Sequence, residues 1–329
     1  MIIKSVKLAN FRCHDLYGLK CDDNTSLILG ENGCGKTSVL EAIYIALRGK
    51  SFRAVDRDIL KRKKEFYRVE LEYFDGEKVV VAYDGKDKTF ITEDKKFKRL
   101  PKKNRYPVVL FLPDDLNLVS SSPVHKRDYF DGWFAQLSDN FYNSLSRYNK
   151  ALKQRNELLK KEVLKPDELF SWNILMARYG CAINKFSNEV VDRINEQIIE
   201  VYRSIAENGD VVKIKYVSQV SVADESLYLK NLEANFEKDR ILGYTSFGVH
   251  RDNYGFEFNA ADADGSASRG EMRTIVLALK FIEARMITET LGKKPVILLD
   301  DVFSELDETR QKSLVNNFKD NQVIITSVK

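Results

Sequence analysis

Little in this chain supports chemistry built on cysteine or histidine. Its four cysteines, Cys13, Cys21, Cys34 and Cys181, form no CxxC pair. That argues against a zinc site or a disulfide framework and favours a reducing cytoplasm. The three histidines, His14, His125 and His250, are too scattered to argue for a metal cluster. No apolar run approaches the roughly 20 residues of a membrane span. The opening MIIKSVKLANF reads as a strand, without the cleavage region of a signal peptide. A large excess of either charge is also missing: 53 basic and 49 acidic residues leave a net +4. Such a balance neither demands nor excludes nucleic acid, and a DNA-binding chain of this kind must segregate its charge onto one face. Repeats and low-complexity tracts are absent, and no heptad run is long enough for a coiled coil.

What is present describes a soluble globular protein, 43% hydrophobic and 31% charged over 329 residues. That length exceeds one ordinary core, so the expectation is a large domain with an inserted lobe, or two domains. Residues 1–10 alternate with period two. Ser26-Leu27-Ile28-Leu29 reads as a second strand feeding Gly30 and a helix through Leu40, Ile43 and Leu47. Residues 67–92 suggest hairpins turning at Asp75-Gly76 and Asp84-Gly85. Residues 106–112, YPVVLFL, read as a short buried strand ended by Pro113. From about Pro123 to Glu207 glycine nearly vanishes and helical spacing takes over. Tyr129, Trp133 and Phe134 fall at that spacing, as core aromatics do. Strands resume at VVKIKYVSQVSV, and the last segment ends in PVILLDD and QVIITS. The expected fold is α/β: a discontinuous lobe of residues 1–114 and 236–329, with 115–235 as a mainly helical insert.

GENGCGKTS, from Gly30 to Ser38, fits GxxxxGK[ST] between a strand and a helix. The loop residues Gly30, Glu31, Asn32, Gly33, Cys34 and Gly35 offer backbone N–H groups to phosphates, and the helix N-terminus adds partial positive charge. Lys36 suits the β- and γ-phosphates of a nucleotide, and the Thr37 hydroxyl suits Mg²⁺. VILLDDVFSELD (296–307) supplies the complement. Its strand is expected beside the P-loop strand, with Asp300 on the metal side and Asp301 as general base for a water. Two adjacent acids at a strand's mouth repel unless they share a cation or proton. The alternative is a strand running into a helix capped by Asp301 or Ser304. In SASRGEMR, Ser268 and Glu271 have the spacing of a capping box, and the same turn is shaped to grip a phosphate.

The order of these parts resembles an ABC-type ATPase head: P-loop, Ser-x-Gly-Glu loop opening a helix, Asp-Asp strand, then Ser304-Glu305-Leu306-Asp307. The helical insert without a coiled coil resembles the RecF family within that group. So do LANFRCHD, GKSFR, LFLPDDLNLV, ALKQRNELLK, GYTSFGVHRDN and RTIVLALKFIE. The resemblance implies a recombination mediator that binds gapped or junction DNA and dimerises around two ATP molecules. It implies slow, DNA-stimulated hydrolysis, help given to RecR and RecO in loading recombinase onto gapped DNA, and a part in the SOS response. By carry-over, Ser268, Gly270 and Glu271 face ATP held by the other protomer, and Ser268 serves catalysis with Lys36 and Asp301. Arg12 and Arg53 lie near the nucleotide or the DNA-facing surface, and Asp307 belongs to the loop crossing the dimer seam.

Several positions depart from the family's pattern. Val249 and Asn253 replace proline and aspartate in GVHRDN, and Glu271 stands where glutamine is common. An acid aimed at a γ-phosphate repels it, so the contact is expected from Ser268 and backbone N–H groups. FLPDDL, with Asp114 and Asp115, replaces the switch glutamine of transporters. The chain also stops three residues after Thr326, where the family continues. Candidate DNA contacts are the basic stretches 95–105 and 147–161, each of which reads equally as a solvated surface. His250, Arg251 and Asp252 read as loop anchors or as ligand contacts. Two other functions fit the P-loop, the cytoplasmic ATPase subunit of a transporter and a small-molecule kinase. The first leaves the insert unexplained, and the second has no use for the Ser268 loop.

Overall fold

Alternation in the first residues becomes β1 (Ile3–Phe11), which buries Ile3, Val6, Leu8 and Phe11 and exposes the lysines between them. The chain then forms β2 (His14–Lys20), β3 (Thr25–Leu29), α1 (Lys36–Arg48) and the short α2 (Asp56–Ile59). Four strands follow as hairpins: β4 (Tyr67–Tyr73), β5 (Lys78–Tyr83), β6 (Lys88–Thr92) and β7 (Lys95–Phe97), before β8 (Val108–Phe111). The two expected turns are present. Gly76 and Gly85 both have φ near +87°, and Asp75 and Asp84 accept backbone N–H groups two residues ahead. One antiparallel sheet results, in the order β2-β1-β4-β5-β6-β7. The computed structural model describes residues 2–165, 167–220 and 224–328.

The glycine-poor stretch forms α3 (Pro123–Leu137), α4 (Asp139–Leu159) and α5 (Asp167–Ala206). Ser122 and Ser138 cap the first two, accepting from His125 N and Phe141 N. Phe130, Trp133 and Phe134 are buried on one face of α3, while Tyr129 is half-buried. Beyond α5 come β9 (Val212–Val217), α6 (Glu225–Ala234), α7 (Phe236–Leu242), β10 (Asn253–Phe258), β11 (Ala261–Asp262), α8 (Ala263–Ser266) and α9 (Arg269–Leu291).

After α9 the chain adds β12 (Val296–Asp300), α10 (Glu308–Phe318) and β13 (Val323–Ser327). A four-stranded parallel sheet forms in the order β3-β13-β12-β8. β12 is buried at every position, as its unbroken apolar run requires of a parallel strand with both faces covered. The P-loop strand β3 and β12 were expected to be neighbours, and they are not. β13 pairs with both, Val323 with Thr25 and with Ile297. Apolar residues of α1 join those of β1, β4, β5 and β12 in one core.

Two compact units result: Met1–Leu116 with Glu283–Lys329, and Asn117–Ile282. The chain re-enters the first unit at Glu283, not at residue 236. The reason lies in pairing that spacing does not reveal. β10 aligns with β9 from Asn253 opposite Val217 to Phe258 opposite Val212. Asp239 on α7 pairs with Arg155 on α4, both fully buried. Among the described residues, no helix is long and apolar enough to cross a membrane.

Candidate nucleotide site

The loop between β3 and α1 depends on two left-handed glycines, Gly33 at φ +82° and Gly35 at φ +99°. Gly35 is the residue before α1, and a Cβ there would collide with Cys13 Sγ and the His14 ring. Only glycine therefore lets the chain turn from strand into helix with its backbone exposed to a ligand. Lys36 and Thr37 open the helix. Lys36 Nζ, nearly buried, donates to the carbonyls of Gly30 (3.0 Å) and Glu31 (3.2 Å) and lies 3.6 Å from Asp301 Oδ2. Thr37 Oγ1 donates to Asp300 Oδ1 at 2.9 Å. Residues 263 positions apart thus meet where β12 ends over the start of α1.

The two aspartates differ in environment. Asp300 is buried and takes a second bond from Thr326 Oγ1 (2.8 Å). Burial, reinforced by Asp301, holds its carboxyl above the usual range against the hydrogen bonds that favour the anion. Asp301 adopts φ +49°, a strained conformation for a residue with a Cβ, and its N–H donates to Thr326 Oγ1 (2.9 Å). Its Oδ1 is buried without a hydrogen bond. This acid, with a buried oxygen that takes no hydrogen bond, stands beside the P-loop lysine.

A cleft of about 590 Å³ lies over these groups, lined by Arg12, Asn32, Gly33, Gly35, Lys36, Thr37, Ser38, Arg53 and Asp301. Gly30, Glu31, Cys34 and Asp300 stand outside its lining. Lys61 and Arg62 also line it, and neither carries a sequence signal. Arg12 and Arg53 both bond Glu41, an acid inside the apolar run of α1 that motif reading passes over. The available signal was a single carboxylate in VLEAIYIAL. Asp307 lies in the same unit but caps α10, accepting from Arg310 N at 2.9 Å. That backbone N–H holds its carboxyl below the usual range. Asp115 Oδ2 accepts from Leu112 N (3.0 Å) and closes its own turn. Among the described residues, no group of three or more histidine, cysteine or acidic side chains is arranged to hold a metal.

Ser268, Gly270 and Glu271 belong to the other unit. Ser268 N donates to Glu271 Oε2 (2.6 Å), and Glu271 N donates to Ser268 Oγ (3.3 Å). The capping box is therefore formed. His250 is anchored by Tyr148 OH at Nδ1 (2.7 Å) and by the Thr245 carbonyl at Nε2 (3.1 Å). Burial pushes its pKa down to about 4. Asp252 accepts from Tyr216 OH and Ser218 Oγ, and burial pushes it up to about 6. Both residues are thus bonded to partners within their own unit. In the stretch 147–161, Arg155 is excluded from DNA contact: it is 0% exposed and bonded to Asn173, Asp239 and Thr245. In 95–105, Lys103 pairs with Glu93 on the surface.

The AAA ATPase domain model matches residues 1–327. DNA replication and repair protein RecF of Clostridium perfringens strain 13 is 34% identical over 334 residues, 99% of this chain and 92% of that protein. The RecF of Alkaliphilus oremlandii is 33% identical over 345 residues, 99% and 93% of the two chains. Among solved structures, the recombination mediator RecF with ATPrS superposes with a TM-score of 0.88 at 29% identity, covering 99% and 92%. An Smc head bound to the C-terminal winged-helix domain of ScpA shares the fold at 14% identity, with a TM-score of 0.53 over 100% and 90%.

Proposed function

The chain belongs to the RecF family of DNA replication and repair proteins, and from that premise we propose how its own residues bind and turn over ATP. The observation that carries the reading is the Thr37–Asp300 bond at 2.9 Å with Lys36 and Asp301 3.6 Å apart, over one glycine cradle. The loop Gly30–Ser38 wraps the phosphates with backbone N–H groups. Lys36 leaves the carbonyls of Gly30 and Glu31 for β- and γ-phosphate oxygens. Thr37 and Asp300 fit Mg²⁺, which takes one or two protein oxygens and completes its shell with water and phosphate. The free Oδ1 of Asp301 supports the same donor set. When bound, Mg²⁺ neutralises charge building on the phosphates. Asp301 orients the attacking water and accepts its proton.

Turnover is weak, and ATP acts mainly as a switch for a homodimer. Ser268 and Gly270 of one protomer approach the γ-phosphate held by its partner, and Asp307 lies toward the seam. The dimer binds gapped or junction DNA in the cytoplasm and works with RecR and RecO to load recombinase, with a part in the SOS response. The experiment is ATP turnover and filter retention of DNA, each with and without gapped DNA and ATP. Stimulation by gapped DNA together with ATP-dependent retention is expected. Unchanged turnover and retention without ATP dependence would sink the reading.

A further inference from the structure

We infer that Glu41 is a positioning residue for nucleotide binding, one buried carboxylate that sets both Arg12 and Arg53 at the wall of the cleft. The inference rests on the nucleotide reading above and adds to it a residue that touches no ligand.

Glu41 lies on α1, five residues beyond Lys36, and is 0% exposed. A carboxylate taken out of water costs several kcal/mol unless it is paired and hydrogen-bonded. Here five donors satisfy it. Oε1 accepts from Arg12 Nη2 (2.8 Å) and Ser51 Oγ (2.6 Å). Oε2 accepts from Arg12 Nε (2.9 Å), Arg53 Nε (3.0 Å) and Arg53 Nη2 (2.9 Å). Burial opposes the charged form, but these bonds outweigh it and hold the Glu41 carboxyl below its usual range.

Two guanidiniums thus share one carboxylate, and a surplus positive charge faces the cleft that both arginines line. That surplus is unfavourable in the empty protein and favourable once an anion enters. The two arginines are held unequally. Arg12 has φ +54°, its N–H bonds the Ile59 carbonyl (2.8 Å), and its Nη1 bonds the Asp58 carbonyl (2.9 Å). Arg53 has one further side-chain bond, Nη2 to Ser38 Oγ at 3.2 Å, and its side chain is 36% exposed. Ser38 directly follows the Lys-Thr pair, where P-loop backbone groups face the α- and β-phosphates. Lys36 and Asp301 mark the γ side. Glu41 therefore governs affinity for ATP and ADP alike and leaves the chemical step to Asp301.

The test uses the full chain, fluorescent mant-ATP and mant-ADP titrations, steady-state turnover and thermal melting. For Glu41→Gln, both affinities should weaken about tenfold with their ratio unchanged, the loss expected when charge-assisted contacts are misaligned. KM should rise while kcat stays within about twofold, the pattern of lost uniform binding. The effect should vanish when Arg12→Gln and Arg53→Gln are already present. Should Glu41→Gln melt below the assay temperature, Arg53→Lys decides instead: it keeps the charge but loses the two-pronged contact, and should weaken both nucleotides equally. Parental affinity in a folded Glu41→Gln or Arg53→Lys variant overturns the inference, as does a change confined to kcat. Parental ATP affinity in Lys36→Ala overturns the nucleotide reading itself, so the two failures are distinguishable.

Discussion

Under the proposed function Asp301 is the general base, and it carries φ +49° at 3.6 Å from Lys36 Nζ. A left-handed conformation in a residue with a Cβ costs about 1–3 kcal/mol and persists where the surroundings enforce it. Asp301→Asn is expected to keep mant-ATP affinity and lose at least about a hundredfold in turnover, the usual scale of a general base. Equal loss of both would make Asp301 a binding residue instead. A second residue, Asp131 on α3, gives a pH signature. Burial, with Asp128 adding to it, pushes its pKa up to about 7. The folded chain then holds this proton more tightly than the unfolded chain, so this residue's contribution to stability falls as pH rises toward 7. Asp252, pushed up to about 6, acts in the same direction. His250 acts oppositely, losing stability as pH falls from 6.5 toward about 4. The melting advantage of Asp131→Asn over the parent should therefore widen as pH rises from about 4 to about 7 and level off above it. A gap that stays constant with pH would remove Asp131 as the source. The P-loop was legible at this scale because its residues are adjacent. Glu41 was not, since its partners stand 29, 10 and 12 residues away.

Among the elements, α4 shows how a surface reading fails. Its basic composition suggests a solvated or DNA-facing helix, yet Arg155 points inward to four oxygens on Asn173, Asp239, Thr245 and Leu232. Asp239→Ala should cost about 3–5 kcal/mol in urea unfolding, because it strands a buried guanidinium. Replacing Arg155 and Asp239 together with apolar residues of similar volume should recover most of that loss. A cost under about 1 kcal/mol for Asp239→Ala would mean water reaches the site, as for an exposed pair. Periodicity identified these helices, but it carries no information on which helix supplies a partner. For the same reason it missed the return at Glu283, which follows from β10 pairing with β9.

For the whole molecule, ATP should control association. In sedimentation, Asp301→Asn with ATP should run as a dimer and without ATP as a monomer. Ser268→Ala should lose about 1 kcal/mol of stability through its cap. Under the proposed function it should also remain monomeric with ATP while still binding it. Normal dimerisation and turnover in that variant would leave SASRGEMR as a helix start alone.

By itself the sequence determined the phosphate loop, the two aspartates at the end of an apolar strand, the hairpins and the helical lobe. Each is written in neighbours or in a short period, and backbone geometry enforces it locally. Tertiary structure alone decided that β13 lies between β3 and β12, and that Thr37 meets Asp300. It likewise decided that Glu41 gathers two arginines and that Arg155 is buried. These depend on side chains distant in sequence satisfying one another's charge and hydrogen bonds out of water, and no local pattern encodes that pairing.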